Sequence, residues 1–296
     1  MKKVVFIANP VSGNGKAKKA AELSASILKD NAFEVSIKFT EYAGHATTLV
    51  QQLSSKADII VAVGGDGTVN EVATGLVGSK TVLGIIPNGS GNGLARHLKI
   101  PMSTKKAAEC LIHGKLQPLD APTINDKFFF CTAGVGFDAH ISHVFAKMEG
   151  RGLKNYIKAI LKEYGSYASQ DYTISLDDSS SVNQKAFVLT VGNAAQYGNE
   201  AVIAPNARIG DGTLELTALP QPNLIRGAIW GIRLFMKNID KDSSVNTFRG
   251  KEIKINNTAQ SVDGHRDGEP DTWEYPLLFQ VKQENQITVI ANSTLV

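Results

Sequence analysis

The chain has 296 residues, 43% hydrophobic and 20% charged, with a formal net charge of +3 and a pI near 8.7. That length suits two domains with a sizeable core, and the composition excludes a disordered, fibrous or disulfide-stapled chain. The mild basic balance permits attraction to anionic partners without demonstrating one, and nucleic acid is not among the expected partners. Cys110 and Cys131 stand in apolar surroundings without paired spacing, which suits a reducing compartment. The apolar run at 4–7 stops at Asn9-Pro10, too short for a signal peptide. The nearest candidate for a membrane span, 224–239, carries Arg226, Arg233 and Lys237. A soluble, cytoplasmic protein is the expectation.

In chain order, residues 4–8 read as a buried strand and 16–29 as a helix with Ala20, Leu23, Ile27 and Leu28 on one side. An alternating strand at 34–40 and a helix at 45–54 follow, then an apolar strand at 59–63, a helix from 68 to 77 and a strand at 81–86. Strands alternating with helices predict a parallel sheet with helices on both faces. The pattern changes near 119–122. Beyond it, strands are expected at 128–133, 172–176, 186–191, 213–218, 252–256, 277–281 and 286–291, with helical insertions at 155–169 and 224–238. That spacing predicts a sandwich or barrel. The expected organisation is an α/β domain over 1–122 and a β-rich domain over 123–285. Residues 177–181 read as a short polar turn.

The strongest chemical signal is Gly64-Gly65-Asp66-Gly67-Thr68, after an apolar strand and before a helix. Glycines at the carboxyl end of a parallel strand let backbone N–H groups approach a phosphate, and the helix N-terminus adds partial positive charge. Asp66 makes sense there if Mg²⁺, or water of its shell, lies between carboxylate and phosphate. A second loop, Pro87-Asn88-Gly89-Ser90-Gly91-Asn92-Gly93, and a third, Asn9-Pro10-Val11-Ser12-Gly13, also follow apolar strands. Three such loops predict a nucleotide site. A Walker A loop fails, because Gly15-Lys16 is followed by Ala17 and Pro10 stands where its first glycine belongs. The dinucleotide fingerprint fails in the 89–96 region, and no Gly-x-Ser-x-Gly elbow occurs.

With these motifs in order, the chain resembles the diacylglycerol kinase catalytic family, which includes bacterial lipid kinases and sphingosine kinases. The resemblance spans the chain. It rests on Asn-Pro-x-Ser-Gly at 9–13, Thr40 with Gly44-x-Ala46, and Gly-Gly-Asp-Gly-Thr-x-Asn-Glu at 64–71. It continues through Pro-x-Gly-Ser-x-Asn at 87–92, Gly-x-Gly-Phe-Asp-Ala at 134–139, Ala-Pro-x-Ala-x-x-x-Asp-Gly-x-Leu at 204–214 and Asp-Gly-Glu at 267–269. The resemblance implies an ATP-dependent lipid kinase. ATP would be held by Asn9, Pro10, Val11, Ser12, Gly13, Thr40, Gly64, Gly65, Asp66, Gly67, Thr68, Val69, Asn70 and Ser90. Glu269 would be the catalytic base and Asp66 the residue that organises Mg²⁺ at the interdomain crevice. Asp211, with the carbonyls of Arg208 and Thr213, would form a separate Mg²⁺ site. The C-terminal strand at 286–296 would return to the first domain. A lipid substrate and a peripheral anionic membrane surface are the implied partners, and a homodimer is compatible. Three departures stand out: Gly89-Ser90-Gly91-Asn92-Gly93 reads closer to sphingosine kinases, His45 follows Gly44 where bacterial members often carry Asp, and Tyr197-Gly198-Asn199 replaces a glycine-richer loop.

Several residues carry two readings. Taken alone, Glu269 is one carboxylate of an acidic surface turn with Asp263, Asp267 and Asp271; the family motif makes it the base. Asp138 could cap the following helix or line a headgroup pocket. Asp211-Gly212 could be a hairpin turn, a cation site or both. His140 and His143 read as a solvated helical face. Lys147, Arg151, Lys154, Lys158 and Lys162 form the basic face of an amphipathic helix, with docking on anionic lipid as the second reading. An NAD kinase or other small-molecule kinase is the rival enzyme, disfavoured by the motifs at 9–13 and 267–269. A catalytically silent lipid-binding regulator is the rival of another class, and it would be expected to lose Asp66 or Glu269.

Overall fold

The computed structural model describes residues 1–148, 153–177 and 181–293. Arg151, most of the polar turn at 177–181 and residues 294–296 of the terminal strand lie outside the described residues. The chain forms two compact units, one of residues 1–121 with 283–296 and one of residues 122–282.

The first unit begins with β1 (Lys3–Ala8), a single turn α1 (Ser12–Gly15), α2 (Ala17–Asp30), β2 (Glu34–Phe39) and α3 (His45–Leu53). It continues with β3 (Ile59–Gly64), α4 (Asp66–Leu76), β4 (Val82–Pro87), α5 (Gly93–His97), α6 (Thr104–His113) and β5 (Lys115–Leu119). The second unit starts with β6 (Thr123–Ile124), β7 (Lys127–Phe128), β8 (Thr132–Gly136), α7 (Phe137–Ala146), α8 (Leu153–Glu163) and β9 (Gln170–Leu176). Then come β10 (Val182–Ala186), β11 (Val188–Gly192), β12 (Gln196–Gly198), β13 (Ala201–Val202), β14 (Leu214–Leu219) and α9 (Leu224–Phe235). It closes with β15 (Asn246–Gly250), β16 (Glu252–Asn256), β17 (Ser261–Arg266), β18 (Glu269–Glu274) and β19 (Leu277–Gln280). The last strand, β20 (Ile287–Ala291), belongs to the first unit.

The first sheet runs β2-β1-β3-β4-β20-β5, parallel except for the β20–β5 pair. Every residue of β3 is buried, as continuous apolar strands covered on both faces must be, whereas the edge strand β2 alternates half-buried with exposed. Helices α2 and α6 pack together, as do α3 and α4, and each pair also packs on the sheet. Strand order reverses between β1 and β3, with β2 on one side and β4 on the other. In open α/β sheets that switch point opens a crevice at the strands' carboxyl ends.

The second unit is a sandwich of two six-stranded antiparallel sheets, β10-β9-β16-β19-β6-β7 and β15-β14-β11-β8-β17-β18. Ile174, Ile253, Ile255 and Phe279 of one sheet meet Val135, Leu189, Val191 and Leu216 of the other in a shared core. A second core gathers Phe137 and Ile141 of α7, Ala159 of α8 and Trp230 of α9 around Phe187 and Val188.

Four local expectations are corrected here. The strand expected over 128–133 is broken, because the N–H groups of Phe130, Cys131 and Thr132 donate to the Asp267 carboxylate instead of a neighbouring strand. The acidic segment around 263–271 is not a loose surface turn but the hairpin of β17 and β18. The helix expected to reach 169 stops at Glu163. Asp211-Gly212 is not a hairpin turn: it leads into β14, whose partners are β11 and β15.

Candidate active site

Three loops meet at the carboxyl ends of β1, β3 and β4. Asn9 N–H donates to the Val63 carbonyl (3.2 Å) and Asn88 N–H to the Gly64 carbonyl (2.8 Å), so the strand ladders extend into the loops. Ser12 Oγ donates to the Asn88 carbonyl (3.2 Å), and Asn88 Nδ2 returns a bond to the Ser12 carbonyl (3.1 Å). Gly65 and Gly89 pack backbone to backbone: a Cβ on Gly89 would lie 2.5 Å from the Gly65 Cα. A side chain at Gly89 would force the loops apart. This glycine cradle, which one Cβ would fill, suits the close backbone approach that a phosphate requires.

Asp66 does more than the sequence reading expected of it. Its two carboxylate oxygens accept from the N–H groups of Asn92 (2.8 Å) and Gly93 (2.7 Å), fastening the second loop at the start of α5. Asn92, with a φ of 53°, clasps that loop through Gly89 N–H and Gly89 carbonyl (2.9 and 2.8 Å). The left-handed residue of this loop is thus Asn92. Asn9 Oδ1 accepts from Val11 N–H, and Val11 itself is exposed. Thr68 and Val69 are buried, while Ser90 faces solvent. Asn70 Oδ1 accepts weakly from Thr74 Oγ1 (3.4 Å) within α4.

Thr40 is buried at the end of β2, its N–H bonded to the Ala8 carbonyl. Nearby, Glu71 of α4 accepts from Gly44 N–H (2.9 Å) and Ala46 N–H (3.1 Å) at the start of α3. The separated motifs Gly44-x-Ala46 and Asn70-Glu71 therefore form one capping unit. Tyr42 stacks on His45 beside it, ring centroids 4.5 Å apart.

In the second unit, Glu269 sits where β18 leaves a two-residue turn, opposite Arg266. Asp267 (φ 50°) and Gly268 (φ 83°) form that turn; positive φ at both central residues matches the right-handed twist of a hairpin. Asp267 is buried and accepts the N–H groups of 130–132, while its own N–H reaches the Thr132 carbonyl (2.8 Å). The motif Asp-Gly-Glu thus divides into an anchor, a bend and an exposed carboxylate. Asp263 is also exposed, 4.0 Å from His143 Nδ1.

Behind the hairpin lies a buried network that sequence reasoning missed. Asp138 Oδ2 meets Thr190 Oγ1 (2.6 Å), Tyr197 Oη (2.7 Å) and His265 Nε2 (2.9 Å). Burial pushes the Asp138 carboxyl upward, but the His265 charge and the bonds from His265, Thr190 and Tyr197 outweigh it and hold it below its ordinary value. Burial and the Asp138 charge push the Tyr197 hydroxyl far up. The two readings of Asp138 resolve into a hub that bonds Ala139 N–H at the start of α7 and ties it to β11, β12 and β17. His140 and His143 do not form a freely solvated face: both are half-buried, His140 bonds Glu163 (3.0 Å), and His143 Nε2 lies 3.0 Å from the carbonyls of Gly264 and Asp271.

The Asp211 turn is closed by protein groups. Its Oδ1 accepts from Thr213 N–H (2.9 Å) and Oγ1 (2.7 Å), and its Oδ2 pairs with Arg249 Nη2 (2.7 Å). A divalent cation at Asp211, with the carbonyls of Arg208 and Thr213, would have to displace the Arg249 guanidinium. Among the described residues, no group of three His, Cys, Asp or Glu side chains could hold a metal.

The family model for the Diacylglycerol kinase catalytic domain matches residues 3–124. The YegS C-terminal NAD kinase beta sandwich-like domain matches residues 131–291. A diacylglycerol kinase of Bacillus subtilis is 30% identical over 280 residues, 91% of this chain and 90% of that protein. This chain belongs to the diacylglycerol kinase family. It is a lipid kinase. A diacylglycerol kinase of Mycobacterium tuberculosis is 31% identical over 223 residues, 73% of this chain and 72% of the other. Among solved structures, a diacylglycerol kinase of Bacillus anthracis superposes with a TM-score of 0.77 at 23% identity, covering 100% of this chain and 98% of that one. Yeast NADH kinase superposes with a TM-score of 0.53 at 10% identity, covering 99% and 84%. The likeness to NADH kinase extends to the fold alone; membership of the diacylglycerol kinase family rests on sequence. No described helix is long and apolar enough to cross a membrane.

Proposed function

We propose that this lipid kinase transfers the γ-phosphoryl group of ATP to the hydroxyl of a diacylglycerol-like lipid at a membrane surface. The observation that carries this reading is the interlocked glycine cradle of residues 9–13, 64–70 and 87–93 at the sheet's switch point. Backbone N–H groups there suit the phosphates of ATP, with Ser90 in the third of these loops and Thr40 just after β2. Asp66 is the acidic residue of the cradle. When bound, Mg²⁺ would neutralise phosphate charge; it takes oxygen ligands and keeps much of its water, so one carboxylate with phosphate oxygens is a fitting set.

In this reading Glu269 is the general base. The lipid hydroxyl oxygen bonds to the γ-phosphorus, the bond to the β–γ bridging oxygen breaks, ADP leaves, and the hydroxyl proton passes to the Glu269 carboxylate. Solvent exposure supports this role, because the carboxylate can meet an incoming hydroxyl, while Asp267 and Gly268 hold the hairpin tip in place. Diacylglycerol is favoured as acceptor by the names of the relatives, against the sphingosine-kinase-like second loop. Incubation with labelled ATP, Mg²⁺ and a total lipid extract, followed by identification of the labelled product, tests the proposal. A labelled phosphatidic acid is expected; no labelled lipid, with label appearing in NADP when NAD replaces the extract, would overturn it.

A further inference from the structure

Helix α9 presents an apolar face to solvent. Leu224, Ile225, Ile232 and Met236 are 61–74% exposed, and Ile229 and Phe235 are close to half exposed. Residues 225, 229, 232 and 236 recur at helical spacing, so they form one continuous stripe. The opposite side is also apolar, since Trp230 and Leu234 pack into the core beneath. A helix apolar on both sides needs cover on both. Near the end of α8, Leu161 is 72% exposed. Tyr164, just after α8, donates to the Pro222 carbonyl just before α9.

The charges around this face are of one sign. No acidic residue occurs between 224 and 237, and Arg226 and Lys237 are exposed at its two ends. Lys158 and Lys162 are exposed on α8. The nearby carboxylates are engaged inward: Asp242 takes the Trp230 indole N–H (3.1 Å) and Ser244, and Glu163 takes His140. A second copy packed on this face by two-fold symmetry would set like charges against one another. An anionic bilayer offers the complement: acyl chains for the stripe and lipid phosphates for the basic rim.

We infer that α9 and the end of α8 form the membrane-docking surface of this protein, with the stripe at Ile225, Ile229, Ile232 and Met236 inserted among acyl chains and Arg226, Lys237, Lys158 and Lys162 on anionic headgroups. The inference rests on the reading of the protein as a kinase that works at a membrane surface. Vesicle co-sedimentation tests it without requiring catalysis. The wild type should bind phosphatidylglycerol–phosphatidylcholine vesicles more tightly than pure phosphatidylcholine vesicles. Ile225→Glu with Ile232→Glu should weaken binding to both at least about tenfold. Arg226→Glu with Lys237→Glu should remove the preference for the anionic vesicles. Both variants should keep the wild-type melting temperature and the wild-type activity on short-chain diacylglycerol in detergent. A polarity-sensitive dye at Ile229→Cys should shift to the blue on mixing with vesicles, and the same dye at Lys254→Cys should not. Unchanged vesicle binding by the Ile225→Glu, Ile232→Glu variant overturns the inference. So does that variant turning a dimer into a monomer while still binding vesicles, which would make the face a contact between copies. If docking depends on α9 but no lipid is phosphorylated even in detergent, the kinase reading fails and the docking surface stands.

Discussion

The glycine cradle of the first unit and the β17–β18 hairpin of the second both place an aspartate beside a glycine, yet they distribute labour differently. In the cradle, Asp66 is itself the fastener, bonding Asn92 and Gly93 N–H, while it is also the proposed partner of Mg²⁺. In the hairpin, Asp267 does the fastening and Glu269, the proposed base, is left exposed. Where one residue holds structure and ligand together, substitution cannot separate the two effects. Where neighbours share the work, it can.

The largest expected effect sharpens this contrast. Glu269→Gln should lower turnover by about 10²- to 10⁴-fold, the range for losing general-base help. Its melting temperature should match the wild type, because the side chain is exposed. Asp263→Asn, two positions from His265 of the buried His265–Asp138 pair, is the control and should leave turnover within a few-fold. A silent Glu269→Gln alongside a dead Asp263→Asn would move the base to Asp263. Asp66→Ala should cost roughly 10²-fold in turnover. Unlike Glu269→Gln, it should also lower the melting temperature, since two N–H groups at the start of α5 lose their acceptor. A stable, fully active Asp66→Ala protein would break the account of the cradle.

Asp267→Ala should act on stability first. Three buried N–H groups lose their acceptor, at about 1–3 kcal/mol each, so a loss of at least about 3 kcal/mol is expected by denaturant unfolding. A loss below about 1 kcal/mol would show that the hairpin does not depend on this anchor.

A smaller effect concerns pH. His97, partly buried at the end of α5, is pushed down to about 4 by burial, against an ordinary value of 6.5. The folded protein keeps it neutral while the unfolded chain takes up a proton. Its contribution to stability is therefore complete above pH 6.5 and is lost as pH falls towards 4. Thermal melts at pH 7 and pH 4.5 should differ less for His97→Gln than for the wild type; an unchanged difference would contradict the assignment. The smallest effect is at Asp211. Because Arg249 already neutralises this partly exposed carboxylate, Mg²⁺ without nucleotide should leave the wild-type melting temperature unchanged. A clear rise would put a cation at the Arg208–Asp211–Thr213 turn.

Much of the first unit was legible because its signals are local: apolar runs four or more residues long, each ending in a glycine loop, dictate parallel β-α units. The fastenings were less so. Glu71 bonds N–H groups 25 and 27 residues away, and Asp267 bonds a segment 135–137 residues away. Nothing in periodicity encodes such pairs, although both residues sit inside the motifs that named the family. Residues 261–274 hid their strands because Asp263, Asp267 and Asp271 make a strand sequence resemble a loop. Asp138 and His265 come together through the tertiary pairing of β8 with β17, and Tyr197 joins them from β12 in a separate sheet.

The division of labour itself is tested most directly by titrating a non-hydrolysable ATP analogue, with Mg²⁺, into wild type, Gly89→Ala and Glu269→Gln. A Cβ at Gly89 drives the second loop off Gly65, so the account predicts binding at least about tenfold weaker for Gly89→Ala. It predicts wild-type affinity for Glu269→Gln. Undiminished binding by a folded Gly89→Ala protein, or a loss of nucleotide affinity in Glu269→Gln, would contradict it.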